Sequence, residues 1–93
     1  MDELVKLCLR QCGDDFEEEI RMHIKTCLSE LDMWGLCNLY KETQNGTEYE
    51  PQVQNAVVAF CKWRFGDSET KDDWERIYHT IVGQMLLSSK FKE

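Results

Sequence analysis

No stretch constrains the fold more than residues 50–66, EPQVQNAVVAFCKWRFG. Pro51 suits the first position of a helix, where its missing N–H would have no partner in any case. Gly66 suits the place just past a helix, where a left-handed residue closes the last turn. Between them Val53, Val57, Phe60 and Arg64 share one face, and Val58, Cys61 and Phe65 share another. Ala56, Ala59 and Trp63 fill part of the gap. The middle, AVVAFC, has no polar side, and a helix apolar all round is one that other elements surround. Six apolar residues in a row also fit a buried strand. The flanking proline and glycine, with the segment's length, favour a central helix with Val57 and Phe60 in the core.

A chain of 93 residues is expected to make one domain, spanning 1–93. A domain this size buries only about 60–65% of its unfolded surface, so neighbouring subunits are natural sources of extra stability. The net charge of −7 repels phosphate backbones, which argues against sequence-specific nucleic-acid binding. No stretch approaches the ~20 apolar residues of a membrane span, and MDELVKLCLR carries acids where a signal peptide carries bases. Five cysteines, at 8, 12, 27, 37 and 61, make an odd, scattered set that suits a reducing cytosol better than a disulfide framework.

In chain order, residues 2–12 read as a short helix with Asp2 and Glu3 at its positive end. Leu4, Leu7 and Cys8 form its apolar side, and Val5 and Leu9 a second. Gly13 ends it. Asp14 or Asp15, followed by Glu17 or Glu18, caps a second helix in a carboxylate version of the capping box. That helix should reach Trp34, with Phe16, Ile20, Ile24, Cys27, Leu31 and Trp34 as its core stripe and Gly35 as its stop. Residues 36–49 contain Asn45-Gly46, the preferred pair of a two-residue hairpin turn, and read as a small hairpin or a projecting loop. Thr70 with Asp73 caps a last helix over about 71–88, which places Trp74, Ile77, Tyr78, Ile81, Met85 and Leu86 along one side. Gly83 within it costs about 1 kcal/mol relative to alanine, which a close backbone contact would justify. Residues 89–93 read as a mobile tail. The fold class is therefore all-α, a four-helix-bundle-like arrangement with a projection between the second and third helices.

One constellation has metal-like spacing. Cys8 and Cys12, then His23 and Cys27, lie at i, i+4 on two adjacent helices, so four soft ligands could converge on zinc. Cys27 falls on its helix's apolar stripe and the spacing fits no common zinc pattern, so core cysteines, with no metal or cofactor, are the better reading. The acids at 14, 15, 17–19 and at 72, 73 and 75 crowd helix N-termini, where negative charge is favoured anyway. His79 has no evident nucleophile or acid partner. No phosphate loop, nucleophile elbow or metalloprotease motif is present, and the chain reads as a protein that is not an enzyme. Trp34, Trp74 and Ile81 read as core. Tyr40, Tyr49 and Phe91, outside the firm helices, read as partner contacts, since aromatic residues enrich interfaces. Lys90 and Lys92 flank Phe91 and complete a small anchor of one ring and two cations.

The order of elements, with ELDMWGL, EPQVQNAVVAFCKWRFGD and IVGQMLLSSKF, resembles the small head–tail connector (adaptor) family of long-tailed bacteriophages, some labelled DNA-packaging proteins. The resemblance spans about residues 1–91. It rests on the acidic start of the second helix, Leu31…Gly35, Pro51-x-Val53…Ala56, Phe65-Gly66-Asp67 and the stretch 87–91. These are capping and packing patterns, and the five cysteines are not part of them. The resemblance implies a virion protein at the head–tail junction, assembled in the host cytoplasm. It implies a homo-oligomeric ring, a dodecamer, under the portal protein, extending the DNA channel and offering a surface to the next head-completion or tail protein. DNA would pass through such a ring without sequence-specific binding, and the chain's acidity would keep it from adhering. The tail at 88–93 would help dock the ring and order on assembly. The alternative is a small helical regulator, encoded by a phage or prophage, that binds a protein partner.

Overall fold

The computed structural model describes residues 3–12, 17–65 and 71–92. Four helices run over Glu3–Cys12 (α1), Glu17–Met33 (α2), Pro51–Phe65 (α3) and Lys71–Leu87 (α4). Between α2 and α3 lie two antiparallel strands, Tyr40–Thr43 (β1) and Gly46–Tyr49 (β2). A 3₁₀ turn over Ser89–Phe91, the C-terminal hook, follows α4. The chain is thus mostly helical, but the hairpin means that it is not purely all-α. The caps expected at 13–15 and at 70, and the stops at 13 and 66, lie outside the described residues. No helix among the described residues is long and apolar enough to cross a membrane.

α3 packs against α1, α2 and α4, with α4 its most extensive neighbour. Val53, Ala56, Val57, Ala59, Phe60 and Cys61 are buried on it, as the all-round apolar segment requires. Leu4, Val5 and Cys8 of α1, Ile20, Ile24, Cys27 and Leu31 of α2, and Tyr78, Val82 and Met85 of α4 enclose them. At the centre, Phe60 meets Tyr78 edge to face at 5.2 Å and Trp63 at 5.6 Å. Such ring pairs contribute about 0.5–1.5 kcal/mol beyond simple burial. The Cys27 thiol donates to the Tyr78 hydroxyl at 3.9 Å, so this buried phenol is not left unpaired.

The buried stripe of α4 is rotated from the one read off the sequence. Tyr78, Val82 and Met85 are buried, Trp74 and Ile81 are half-buried, and Ile77 and Leu86 lie at the surface. Val82 takes the inner place because it stands one turn from Tyr78, whose ring packs on Phe60. At Gly83 no atom lies near where a Cβ would stand, so a close backbone contact does not account for that glycine.

α2 stops one residue earlier than expected, and the stop moves Trp34 out of the core. The Leu36 N–H donates to the Leu31 carbonyl (3.1 Å) and the Gly35 N–H to that of Asp32 (3.0 Å). With Gly35 at φ +83, this is the two-bond closure of a Schellman turn, completed by burial of Leu31 and Leu36 together. Trp34, on the turn, leaves the stripe and lies 39% exposed across Tyr78 and His79.

Residues 36–49 resolve to the hairpin. Tyr40 faces Tyr49 and Thr43 faces Gly46, so the central turn residues are Gln44 and Asn45. The Asn-Gly pair is displaced by one position from the expected turn. Neither central residue has the positive φ that the mirror-image turn demands, and Gly46, at φ +114, absorbs the reversal instead.

The C-terminal hook overturns the expectation of a loose tail. Phe91 is completely buried, and its carbonyl accepts from both the N–H and the thiol of Cys37, at 2.7 and 3.3 Å. The Asn38 side-chain amide donates to the carbonyls of Lys90 and Lys92, an arrangement reached with Asn38 itself left-handed at φ +58. Ser88 caps the turn by accepting from the Lys90 N–H.

Candidate assembly surfaces

The cysteine and histidine positions singled out by spacing serve different neighbourhoods. Cys8 and Cys27 are buried in the core, and the Cys61 thiol donates to the Cys8 sulfur at 3.7 Å. Burial pushes the Cys27 thiol up to about 12, which keeps it protonated and a poor metal ligand. His23 is half-buried with its ring 6.3 Å from Phe60. Burial, reinforced by Arg64 and opposed by Glu19, holds its pKa below the ordinary value. The side chain of Cys12 lies outside the described residues. Among the described residues no group of three His, Cys, Asp or Glu side chains could hold a metal ion. The acids at helix starts form short ion pairs along their own helices, Glu17 with Arg21 and Asp73 with Arg76, as solvated faces do.

The five residues expected to touch partners divide. Tyr40 is 52% exposed and stacks on the half-buried Tyr49 at 5.5 Å. Tyr49 leans on the core, and its carbonyl accepts from the Gln54 amide at 2.9 Å. Lys90 is drawn to Glu50 at 2.7 Å, and Lys92 is exposed. Phe91 cannot be an outward anchor while the hook is closed, because its ring completes the core and its carbonyl is engaged. The Lys-Phe-Lys pattern instead divides by role: the ring goes in, both cations stay at the surface, and Lys90 also pairs with Glu50.

Two surfaces not singled out by the sequence remain, on opposite flanks of α4. On the first, Leu7 of α1, Val58 and Lys62 of α3, and Trp74, Ile77 and Ile81 of α4 line a groove of about 400 Å³. Lys62 reaches over the Trp74 ring, its ammonium 4.6 Å from the centroid. Beyond the second flank, Trp34 covers Tyr78 and His79 with ring separations of 6.3 Å, and the adjoining Met33 is 81% exposed. At 100° per residue, Ile77 and His79 point about 160° apart around α4. Met33 has a signal in the sequence, since it falls off the apolar stripe of the second helix two residues before the stop at Gly35. The groove has none, because it needs three helices to form. No protein-family model matches the chain, and no curated protein and no solved structure shows significant similarity to it.

Proposed function

We propose that this chain is the subunit of a head–tail connector ring, which sits beneath a portal and presents a surface to the next head-completion or tail protein. The observation that supports this reading is where the resembling segments fall. Leu31 and Gly35 close α2, Pro51 opens α3, Val53 and Ala56 lie on its buried side, and residues 87–91 leave α4 and form the hook. A resemblance carried by boundaries and packing positions is a resemblance of scaffold, as a structural subunit calls for. The exposed Met33 and Leu87, 81% and 88% accessible, and the groove beside α4 give the subunit apolar surface to bury on assembly. Under this reading Tyr40, Lys90 and Lys92 are the exposed members of the contact set, and the closed hook is part of the subunit body. The acidic chain, at −7, suits a DNA channel that must not retain its cargo.

The test is assembly. Purified protein, alone at high concentration and mixed with its portal, is examined by electron microscopy and light scattering, and a null mutant is complemented for virion assembly. Rings and restored tail joining are expected. A protein that stays monomeric even beside its portal overturns the connector reading and leaves a helical regulator of some other partner.

A further inference from the structure

The groove and the Met33 projection belong to one interaction. We propose that Met33 and Trp34 of one copy dock into the groove beside α4 of the next copy, so that the ring is closed by a repeated projection-into-groove contact. The inference rests on the connector reading and names the residues of its subunit joint. Three observations carry it. The two surfaces lie on opposite flanks of α4, and a contact between different patches of identical subunits is the heterologous kind, which generates a ring when its rotation closes. An isologous contact would close at a dimer instead.

The shapes and side chains also correspond. Met33 stands 81% exposed at the end of α2, and Met is an unbranched side chain that fills irregular apolar gaps. Trp34 beside it supplies the large ring typical of interface centres. The groove offers Val58, Trp74, Ile77 and Ile81 to receive them, with Ile77 already 40% exposed.

Charge selects the occupant. The groove's charged side chain is Lys62, whereas Glu30 and Asp32 lie on the turn that bears Met33. In a chain with 18 acids against 11 bases, most surface would repel an acidic projection. This groove attracts one, and the chain carries a matching projection itself. The joint therefore has an apolar centre with an acid–lysine rim, which sets register more than affinity.

The experiment uses two full-length variants, Met33→Glu and Ile77→Glu. Both positions are exposed in the single subunit, so each chain should fold, and circular dichroism melts verify it. Each variant alone should lose the oligomer in light scattering and electron microscopy. Mixed in equal amounts they should form a one-to-one dimer and nothing larger, because Ile77→Glu keeps an intact projection and Met33→Glu an intact groove. Wild-type-like rings from either variant overturn the proposal while leaving the ring reading in place. A mixture that stays monomeric after both variants have lost their rings overturns it too. Rings that persist in both variants but no longer bind portal or tail-side protein assign the groove to that other protein and overturn it as well. Wild type that never assembles beside its portal overturns the connector reading and this inference together.

Discussion

α3 and the C-terminal hook are both ordered, and they are held by opposite means. α3 has 15 residues and buries side chains on nearly every side, so its order is the sum of many apolar contacts with three other helices. The hook has three residues and buries one ring. Its remaining fixings are hydrogen bonds from Cys37 and Asn38, a serine cap, and the Lys90–Glu50 pair. Removing part of α3 should therefore weaken the whole molecule at once. Opening the hook breaks a few local contacts and can occur while the helices stay folded. Order in α3 is therefore global by construction, whereas order in the hook is local and releasable.

Phe60→Ala should be the most damaging single change. Phe60 is fully buried between Tyr78, Trp63 and His23, and its truncation should cost about 3–5 kcal/mol. Denaturant melts give the loss, and amide exchange should accelerate in α1, α2, α3 and α4 together. A shift in thermal midpoint of a degree or two, or faster exchange in α3 alone, would remove α3 from its central place.

Phe91→Ala comes next, at about 2–3 kcal/mol, below the usual range for a core phenylalanine because the chain end can collapse into the vacated space. Its signature differs more than its size. The Cys37 amide, bonded to the Phe91 carbonyl at 2.7 Å, should exchange far faster, while the amides of α3 change only by the lost global stability. Equal acceleration at both places would make the hook an ordinary part of the cooperative core and erase the distinction.

The same contrast explains what is legible in the sequence. α3 can be read because its signals are local: Pro51 at its start and an unbroken apolar run within it. Ile20, Ile24 and Leu31 are legible through helical period, and all three are buried. Trp34 is misplaced by period alone, which does not say that Gly35 pulls the chain into a left-handed turn two residues beyond the last helical residue, Met33. The hook reads as loose from its polar composition, since Cys37 and Asn38, which hold it, lie more than 50 positions away. No composition rule reaches that far. The groove beside α4 is invisible for the same reason, being assembled from residues 7, 58, 62, 74, 77 and 81 on three helices. Of the five expected partner contacts, exposure at Tyr40, Lys90 and Lys92 follows from the hairpin and the chain end themselves, whereas the burial of Phe91 does not.

The mildest change concerns the latch between Glu50 and Lys90, where pH separates the hook from the core. The Lys90 ammonium, 2.7 Å from the carboxylate, donates a hydrogen bond that holds the Glu50 pKa below its ordinary value. A carboxyl whose folded pKa is depressed contributes stability above its unfolded value, and that contribution is lost as pH falls through the folded one. If the pair closes only the hook, acid should loosen the hook before it touches α3. Cys37 amide exchange, corrected for its intrinsic pH dependence, should therefore report more frequent hook opening as pH drops from about 6 to 3, with α3 amides lagging behind. Glu50→Gln keeps the size of the side chain and removes the titration. In that variant hook opening should already be elevated at neutral pH, by less than in Phe91→Ala, and should no longer rise selectively over α3 in acid. If wild type and Glu50→Gln show the same hook profile, the ion pair has no part in the latch, and the buried ring with the Cys37 and Asn38 hydrogen bonds closes it alone. If the acid-induced rise in wild type is matched residue for residue in α3, the hook and the core open together, and the local character assigned to residues 89–91 is lost.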